Sequence, residues 1–221
     1  MIKAVFMDYT GTIIQEKGED LEKIVSRIWK NSRLETAEET VRYWWSLIKM
    51  MEEKSYGDAF LTEDEIVDSL LERLGREKGL DDDFSQLHKL FQRFWMYAPV
   101  FDDVKDFFEK CPLPIYVITN NGACYVQECL EQNSLEAAGI ISGEMVRAYK
   151  PHKEVFDYAL KISGCAAGEV IHIGDSVVSD VNGASAAGIT PVLIDRKAKA
   201  EGADYKVIHR LTQALEYLEC V

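Results

Sequence analysis

The alternation of apolar and polar positions divides the chain into three parts. An apolar run over residues 4–7 stops at Asp8, and Gly11 follows, which predicts a buried strand and then a sharp turn. From about residue 19 to about residue 97, apolar residues recur at helical spacing. Four successive helices without an intervening strand predict a small bundle. Beyond the bundle, short apolar runs alternate with helical segments, as in a parallel, doubly wound sheet.

The predicted elements of the last part are short. Strands are expected at residues 115–118, 139–142, 170–173 and 190–194, with an edge strand near 205–208. Helices are expected at about 102–109, 123–132, 152–162, 178–187 and 210–218. The chain is therefore predicted to be an α/β protein. Its Rossmann-like core is expected to comprise residues 1–15 and 98–221, with an α-helical bundle inserted at residues 16–97.

Two local patterns in the bundle carry specific predictions. Thr36 and Thr62 each precede a glutamate three residues later, which predicts a capping box at the start of two helices. Trp44 and Trp45 are neighbours on one predicted helix, so they cannot both face the same core. One of the two is expected to face a cleft, the other domain or solvent, where it would be a candidate substrate contact.

Polar side chains occur where the predicted strands end or where the next helix begins. They are three carboxylates, one hydroxyl and one ammonium: Asp8, Asp175, Asp180, Thr119 and Lys150. Such positions converge at one rim of a doubly wound sheet. Carboxylates bind Mg²⁺, a lysine neutralises phosphoryl charge, and a hydroxyl with backbone N–H groups can hold phosphoryl oxygens. An aspartate can also attack phosphorus, so this set predicts phosphoryl transfer.

The charge balance narrows the classes of partner. The 221 residues carry a formal net charge of −13 at pH 7. This charge argues against nucleic acid or an anionic membrane as a partner, because both require clustered Lys and Arg. No apolar stretch approaches transmembrane length, and the first residues show no signal-peptide pattern. We expect a small phosphorylated substrate, and a monomer or weak homodimer.

The cysteines indicate a compartment rather than a site. Five cysteines, an odd number without a CxxC pair, favour a reduced, cytoplasmic environment. Each is interpreted as a small hydrophobic residue with neither a metal-binding nor a nucleophilic role. The five are Cys111, Cys124, Cys129, Cys165 and Cys220.

The order of the polar residues resembles the haloacid dehalogenase (HAD) superfamily, whose members are mostly Mg²⁺-dependent phosphatases. Each motif alone is weak, but four motifs in order, with a helical insert between the first and second, cover the whole chain. The insert resembles the cap domain of that family, which closes over the site and selects the substrate. The segments that carry the resemblance are Asp8-Tyr9-Thr10-Gly11-Thr12, Thr119-Asn120, Lys150-Pro151, and Gly174-Asp175-Ser176 followed by Asp180.

The resemblance implies a nucleophile and a metal site. Asp8 would be the nucleophile. Mg²⁺ would be bound by the Asp8 carboxylate, the backbone carbonyl of Thr10 and the Asp175 carboxylate. Asp180 would help directly or through a water molecule.

The resemblance also implies a phosphate site. Thr119 and the backbone N–H of Asn120 would bind phosphoryl oxygens. Lys150 would pair with Asp8 and with the transferring phosphoryl group. Asn121 is either a turn residue or a further ligand.

Thr10 departs from the family pattern. Most phosphatases of the family carry a second aspartate there, which protonates the leaving group and later activates water. Loss of a positioned acid or base typically costs about 10²–10⁴ in rate. The 2-haloacid dehalogenases and the phosphonoacetaldehyde hydrolases of the superfamily also lack that aspartate. The dehalogenases lack the metal-binding acid of the fourth motif as well, so Asp175 counts against dehalogenation.

The sequence thus predicts an Mg²⁺-dependent hydrolase of a small phosphorylated metabolite, acting through an aspartyl-phosphate on Asp8. One alternative is a haloacid dehalogenase-like or phosphonoacetaldehyde hydrolase-like enzyme that cleaves a carbon–halogen or carbon–phosphorus bond. Another is a catalytically weakened protein that binds a phosphate ligand. The sequence does not name the substrate, because the family diverges in the cap.

Overall fold

A computed structural model describes residues 1–198 and 204–218, so Cys220 lies outside the described residues. The chain divides into two compact units. The core unit comprises residues 1–15 and 100–221, and the helical unit comprises residues 16–99. No helix of the described residues has both the length and the apolar character needed to cross a membrane.

The core unit is built on a six-stranded sheet in which every neighbouring pair of strands is parallel. The strand order is β3-β2-β1-β4-β5-β6. This is the order of a Rossmann-like sheet, so the predicted fold class is confirmed. The strands are β1 Ala4–Met7, β2 Ile115–Thr119, β3 Gly139–Ser142, β4 Val170–Gly174, β5 Thr190–Ile194 and β6 Lys206–Ile208.

Both faces of the central strands are buried, as continuous apolar runs in a parallel sheet require. All four residues of β1 are inaccessible to solvent. On one face Phe6 packs with Phe156 and Ala159 in a single apolar cluster. The helices of the core unit are α5 Val104–Lys110, α6 Ala123–Gln132, α7 Lys153–Ser163, α8 Gly183–Ala186 and α9 Leu215–Leu218.

Two predicted helices of the core unit differ in the structure. The predicted helix at 178–187 is a π-helical turn, Val177–Asn182, that leads into the short α8. Val181 N–H donates to the carbonyl of Ser176 five residues earlier (3.1 Å), which widens the turn. The predicted helix at 210–218 begins as a 3₁₀ turn, Leu211–Ala214, before α9.

The helical unit contains four α-helices packed around an apolar interior. At the start of α3, Thr62 and Glu65 form the predicted capping box. At the start of α2, the Thr36 hydroxyl accepts from Glu39 N–H, but the Glu39 carboxylate accepts from Glu35 N–H, so the reciprocal bond of the box is not made. The four helices are α1 Glu19–Lys30, α2 Ala37–Lys54, α3 Glu63–Lys78 and α4 Phe84–Tyr97.

The adjacent tryptophans of α2 have different environments. Trp44 is buried and stacks on Phe91 of α4, with ring centroids 4.2 Å apart and an interplanar angle of 15°. Trp45 is only half-buried. Trp44 therefore belongs to the interior of this unit, and Trp45 is the member of the pair that does not.

Candidate active site

Asp8 lies at the carboxyl end of β1, where the strand order reverses between β1 and β4. Ligands of doubly wound sheets bind at this switch point. The Thr12 hydroxyl donates to Asp8 Oδ2 (3.0 Å), and Lys150 Nζ donates to Asp8 Oδ1 (2.7 Å). Burial raises the pKa of Asp8 to about 6, although the Lys150 ammonium acts in the opposite direction. Asp8 is therefore a buried carboxyl group with both oxygens held by hydrogen bonds.

Lys150 is a buried cation shared by two carboxylates. Its Nζ lies 2.7 Å from Asp8 Oδ1 and 2.6 Å from Asp180 Oδ1. Burial favours the neutral amine, but the two carboxylates outweigh it and hold the pKa of Lys150 above its usual value. The Asn120 side chain fastens the Lys150 backbone, accepting from its N–H (2.7 Å) and donating to its carbonyl (3.3 Å). The Asn120 bonds fix the backbone of Lys150, and the two carboxylates favour the charged form of its side chain beside Asp8.

Asp180 accepts hydrogen bonds from three donors. Its Oδ1 lies 2.6 Å from Lys150 Nζ and 2.9 Å from His172 Nε2, and its Oδ2 accepts from Ser176 N–H (3.0 Å). Burial disfavours the ionised form, but Lys150 and His172 outweigh it and lower the pKa of Asp180. A Cβ at Gly174 would lie 2.2 Å from Asp180 Cγ, so this close approach requires glycine.

Asp175 brings a third carboxylate to the same place, and its side chain is exposed. Carboxylate oxygens of Asp8, Asp175 and Asp180 lie within 4.8 Å of one another. A Cβ at Gly11, whose φ is +87°, would lie 2.3 Å from Asp175 Oδ2. Glycine therefore provides both the left-handed turn after β1 and the space for this carboxylate.

The carboxylate cluster has the donor chemistry of a hard divalent cation, which takes oxygen ligands. Three carboxylates and the Lys150 ammonium together carry a net charge of −2 when all are ionised. A divalent cation would neutralise this charge. The residues present therefore fit Mg²⁺.

Two hydroxyls meet at Asn121. Thr10 Oγ1 donates to Asn121 Oδ1 (2.8 Å), and Thr119 Oγ1 donates to the same oxygen (3.2 Å). The Asn121 N–H donates in turn to Thr119 Oγ1 (2.9 Å). Asn121 is thus a link between the ends of β1 and β2 as well as a turn residue. Thr10 presents a hydroxyl, not a carboxylic acid, to this network.

Every residue named from the sequence as a site residue lies in the core unit, and most are joined directly. Asp8, Lys150 and Asp180 form one hydrogen-bonded chain, and Asn120 holds the backbone of that lysine. Asp175 belongs to the carboxylate cluster, and Thr10 and Thr119 are joined through Asn121. The roles of these residues stay predictions. The structure does bring them together at one rim of the sheet, as predicted.

Sequence reasoning missed His172, which is fully buried and bonded to Asp180. The available signal was its position, because it is the polar residue of the otherwise apolar strand Val170–Gly174. It also missed that the Asn120 side chain anchors the Lys150 backbone. Nothing in the spacing of these two residues along the chain indicates that contact.

The sequence matches a known protein family over most of its length. Residues 2–188 match the family model of the haloacid dehalogenase-like hydrolases. No curated protein matches the sequence significantly.

Solved structures with a similar fold cover nearly the whole chain. A HAD-hydrolase from Bacillus subtilis, YfnB, bound to magnesium, has a TM-score of 0.79 and 22% identity, with 98% of each chain covered. The L-2-haloacid dehalogenase of Xanthobacter autotrophicus has a TM-score of 0.80 and 17% identity, with 100% of both chains covered. A HAD phosphatase from Thermococcus onnurineus has a TM-score of 0.69 and 22% identity, covering 99% of this chain and 98% of its own. At these identities the likeness establishes the fold alone.

Proposed function

This chain belongs to the haloacid dehalogenase-like hydrolases, and within that family we propose that it is a Mg²⁺-dependent phosphatase of a small phosphorylated metabolite. The observation that carries the proposal is the cluster of Asp8, Asp175 and Asp180 around Lys150. Hydrolysis of a carbon–halogen bond brings no phosphoryl charge to the nucleophile, so it does not require a cation site of this kind. A phosphatase requires one, because the phosphoryl oxygens bring further negative charge to the nucleophile.

The reaction proceeds in two steps. The Asp8 carboxylate attacks phosphorus, a bond forms between its oxygen and phosphorus, and the bond from phosphorus to the leaving alkoxide breaks. The alkoxide takes up a proton from solvent and departs as the alcohol. Water then attacks phosphorus, the bond from phosphorus to the Asp8 oxygen breaks, and a proton of that water passes to solvent, so inorganic phosphate is released and the carboxylate is restored. Hydrogen bonds from Thr12 and Lys150 keep Asp8 oriented for the first step.

The phosphate is bound by groups at the end of β2 and by Lys150. When phosphate binds, the Thr119 hydroxyl, which in this structure donates to Asn121, and the backbone N–H of Asn120 would donate to phosphoryl oxygens. The Asn120 side chain is bonded to the Lys150 backbone through both its amide oxygen and its amide nitrogen. These donors and the lysine that carries the ammonium therefore keep a fixed spacing. This preorganisation stabilises the charge that develops on the transferring group.

The cation would be held by Asp8, Asp175 and the backbone carbonyl of Thr10. Asp180 already accepts three hydrogen bonds, so its contribution to the cation is through water. When bound, Mg²⁺ supplies charge neutralisation between the carboxylates and the phosphoryl oxygens.

The proposal predicts a slow reaction, because of Thr10. Its hydroxyl donates to Asn121 and is a poor general acid near neutral pH, so it does not protonate the alkoxide efficiently. The lack of a carboxylic acid here is the one observation that favours the second candidate, hydrolysis of a carbon–halogen bond. The retained Asp175 argues against that candidate.

The test is phosphate release from a panel of phosphorylated metabolites, with Mg²⁺ and with a chelator. Asp8→Asn serves as the control, because it keeps the shape of the side chain and removes the nucleophile. We expect metal-dependent release that the variant loses. Release by Asp8→Asn at the wild-type rate would overturn the nucleophile, and metal-independent chloride release from 2-haloacids would favour the second candidate. Phosphate binding without turnover would indicate a catalytically weakened binding protein.

A further inference from the structure

His172 is a buried polar residue that the proposed reaction does not use directly. It lies in the middle of β4, in register with Phe6 of β1, and its side chain is inaccessible to solvent. Its Nε2 lies 2.9 Å from Asp180 Oδ1. The rings of Phe156 and His172 form a T-shaped pair, with centroids 5.0 Å apart and an interplanar angle of 86°. The ring is therefore fixed both by packing and by a hydrogen bond.

The two ring nitrogens of His172 have opposite environments. The neighbour of Nε2 is a carboxylate, which can only accept, so Nε2 carries the proton. Nδ1 is buried and has no hydrogen-bond partner among the described residues. A proton on Nδ1 would therefore be an unpaired buried donor, and it would add a second positive charge beside Lys150. His172 is thus a neutral donor aimed at Asp180.

We propose that His172 is a positioning residue, which orients the Asp180 carboxylate so that Lys150 is held between Asp180 and the nucleophile Asp8. The proposal rests on the proposed function in assigning Lys150 and Asp8 to the reaction. The hydrogen bond of His172 is to Asp180, so His172 acts on Lys150 and Asp8 through that carboxylate. The chain of contacts runs from His172 Nε2 to Asp180 Oδ1 (2.9 Å), to Lys150 Nζ (2.6 Å), to Asp8 Oδ1 (2.7 Å).

The His172 donor matters because the Asp180 carboxylate could take other orientations without it. Ser176 N–H holds Oδ2, and Lys150 alone would hold Oδ1. With only one donor on Oδ1, the carboxylate can rotate about its Cβ–Cγ bond and follow the long, flexible lysine side chain. The second donor, on a rigid ring within the sheet, removes that freedom. A neutral donor does this without competing with Lys150 for the negative charge of Asp180.

Three variants separate positioning from packing. His172→Gln keeps an N–H donor on a side chain of similar length. His172→Leu keeps apolar packing and removes the donor. Val170→Ala is the matched control, because Val170 is equally buried in the same strand and belongs to the apolar cluster that contains Phe156, the ring that packs on His172. All three are compared for thermal unfolding, kcat and KM.

We expect His172→Leu to lower kcat by about 10- to 100-fold, the range for supporting residues of a site, with KM changed much less. His172→Gln is expected to recover kcat to within a few-fold of wild type. Val170→Ala should lose thermal stability while keeping the kcat of wild type. The proposal is overturned if folded His172→Leu has the wild-type kcat, if His172→Gln is as slow as His172→Leu, or if Val170→Ala is equally slow.

A readout without substrate keeps this proposal separate from the proposed function. Acetic anhydride labels accessible lysine amines, and the rate at Lys150 can be followed by mass spectrometry of its peptide. We expect very slow labelling in wild type, His172→Gln and Val170→Ala, and several-fold faster labelling in His172→Leu. An unchanged rate in His172→Leu overturns the positioning role whether or not phosphate release is ever observed.

A measurement on the wild-type protein covers the case in which His172→Leu does not fold. Long-range ¹H–¹⁵N correlation NMR distinguishes a protonated ring nitrogen from a bare one. The proposal requires the proton on Nε2 and a bare Nδ1. A proton on Nδ1 with Nε2 bare overturns it, because Nε2 could then not donate to Asp180.

Discussion

The two units of this chain treat buried polar groups in opposite ways. In the core unit, Asp8, Lys150, His172 and Asp180 are buried together and bonded into one network. In the helical unit, the buried polar residues among those described are the hydroxyl residues Thr40 and Ser55. Both bond to backbone groups of their own unit, at Thr36 and Leu61.

The ion pairs differ in the same way. Those of the helical unit, such as Arg27 with Asp82 and Arg93 with Asp20, have at least one partly exposed partner. Partly exposed pairs contribute little to stability, whereas a buried charge costs several kcal/mol unless it is paired. The core unit therefore holds buried charges that are tolerated because they are paired with one another. The helical unit is an ordinary apolar bundle with a charged surface.

Lys150→Met tests the core network with the largest expected effect. It leaves Asp8 and Asp180 buried without their shared cation, so we expect a loss of about 3–5 kcal/mol in the free energy of unfolding. Phosphate release should fall by about 10²–10³, as for the loss of one electrostatic donor. Urea unfolding and phosphate assays measure the two.

Lys153→Met is the matched control for that prediction. Its Nζ pairs with Asp157 on an exposed face of α7, so a change of less than about 1 kcal/mol is expected. Equal costs for the two lysine variants would contradict the view that the buried network differs from a surface pair.

Trp44→Ala tests the helical unit. The buried, stacked ring should cost about 3–5 kcal/mol on removal, because a cavity is left between α2 and α4. Trp45→Ala, at the adjacent half-buried position, should cost clearly less. The folded Trp44→Ala protein should keep its metal dependence, and urea unfolding at matched protein concentration compares the pair. A larger cost for Trp45→Ala would mean that the assignment of the interior face is wrong.

Thr10→Asp tests whether the reaction of the core unit is limited by the lack of a general acid. It restores a carboxyl group at the position that lacks a general acid, so turnover should rise by about 10- to 100-fold, within the usual range for such groups. Asn121 can turn its amide to donate to the new carboxylate instead of accepting from Thr10.

The gain should depend on the leaving group. Alkyl phosphates need a proton on departure, whereas 4-nitrophenyl phosphate does not, so the increase is expected mainly for the former. Thr10→Asn has the same shape without the acid and should give no increase. A similar gain in Thr10→Asn would show that geometry, not proton transfer, limits the reaction.

His88 gives the smallest predicted effect, a pH dependence of stability. His88 Nε2 lies 2.8 Å from Asp64 and Nδ1 lies 2.5 Å from Asp68. Burial lowers its pKa, but hydrogen bonds with Asp68 and Asp64 outweigh burial, and the net pKa is raised. The stabilisation is therefore fully present below the unfolded pKa of about 6.5 and is lost as pH rises through the higher folded value.

Thermal unfolding of wild type and His88→Gln from about pH 5 to about pH 8 checks the sign. The difference between the two proteins should shrink as pH rises. Asp68→Asn removes one of the partners and should weaken the same dependence. A difference that grows with pH would contradict the raised pKa.

Much of the fold could be predicted from local patterns. The runs 139–142 and 190–194 are strands at the predicted residues, because a short apolar run bounded by turn residues has few other solutions in an α/β chain. The predicted helix at 178–187 is helical over residues 177–186, but its first part, Val177–Asn182, is a π-helical turn. There Val181 N–H donates to the Ser176 carbonyl, and hydrogen bonds of the Ser176 and Asp180 side chains add to a π-helical turn that periodicity does not reveal.

By itself, the sequence determined which polar residues lie at strand ends, because strand length and turn position are set over a few neighbouring residues. It therefore predicted that Asp8, Lys150 and Asp175 lie together at one rim of the sheet. Only the tertiary structure decided which atoms meet, since that depends on side chains brought together across separate elements. His172 beneath Asp180 and the Asn120 amide on the Lys150 backbone are of this second kind. A hydrogen bond requires atoms placed within a few tenths of an ångström, and spacing along the chain does not specify positions that finely.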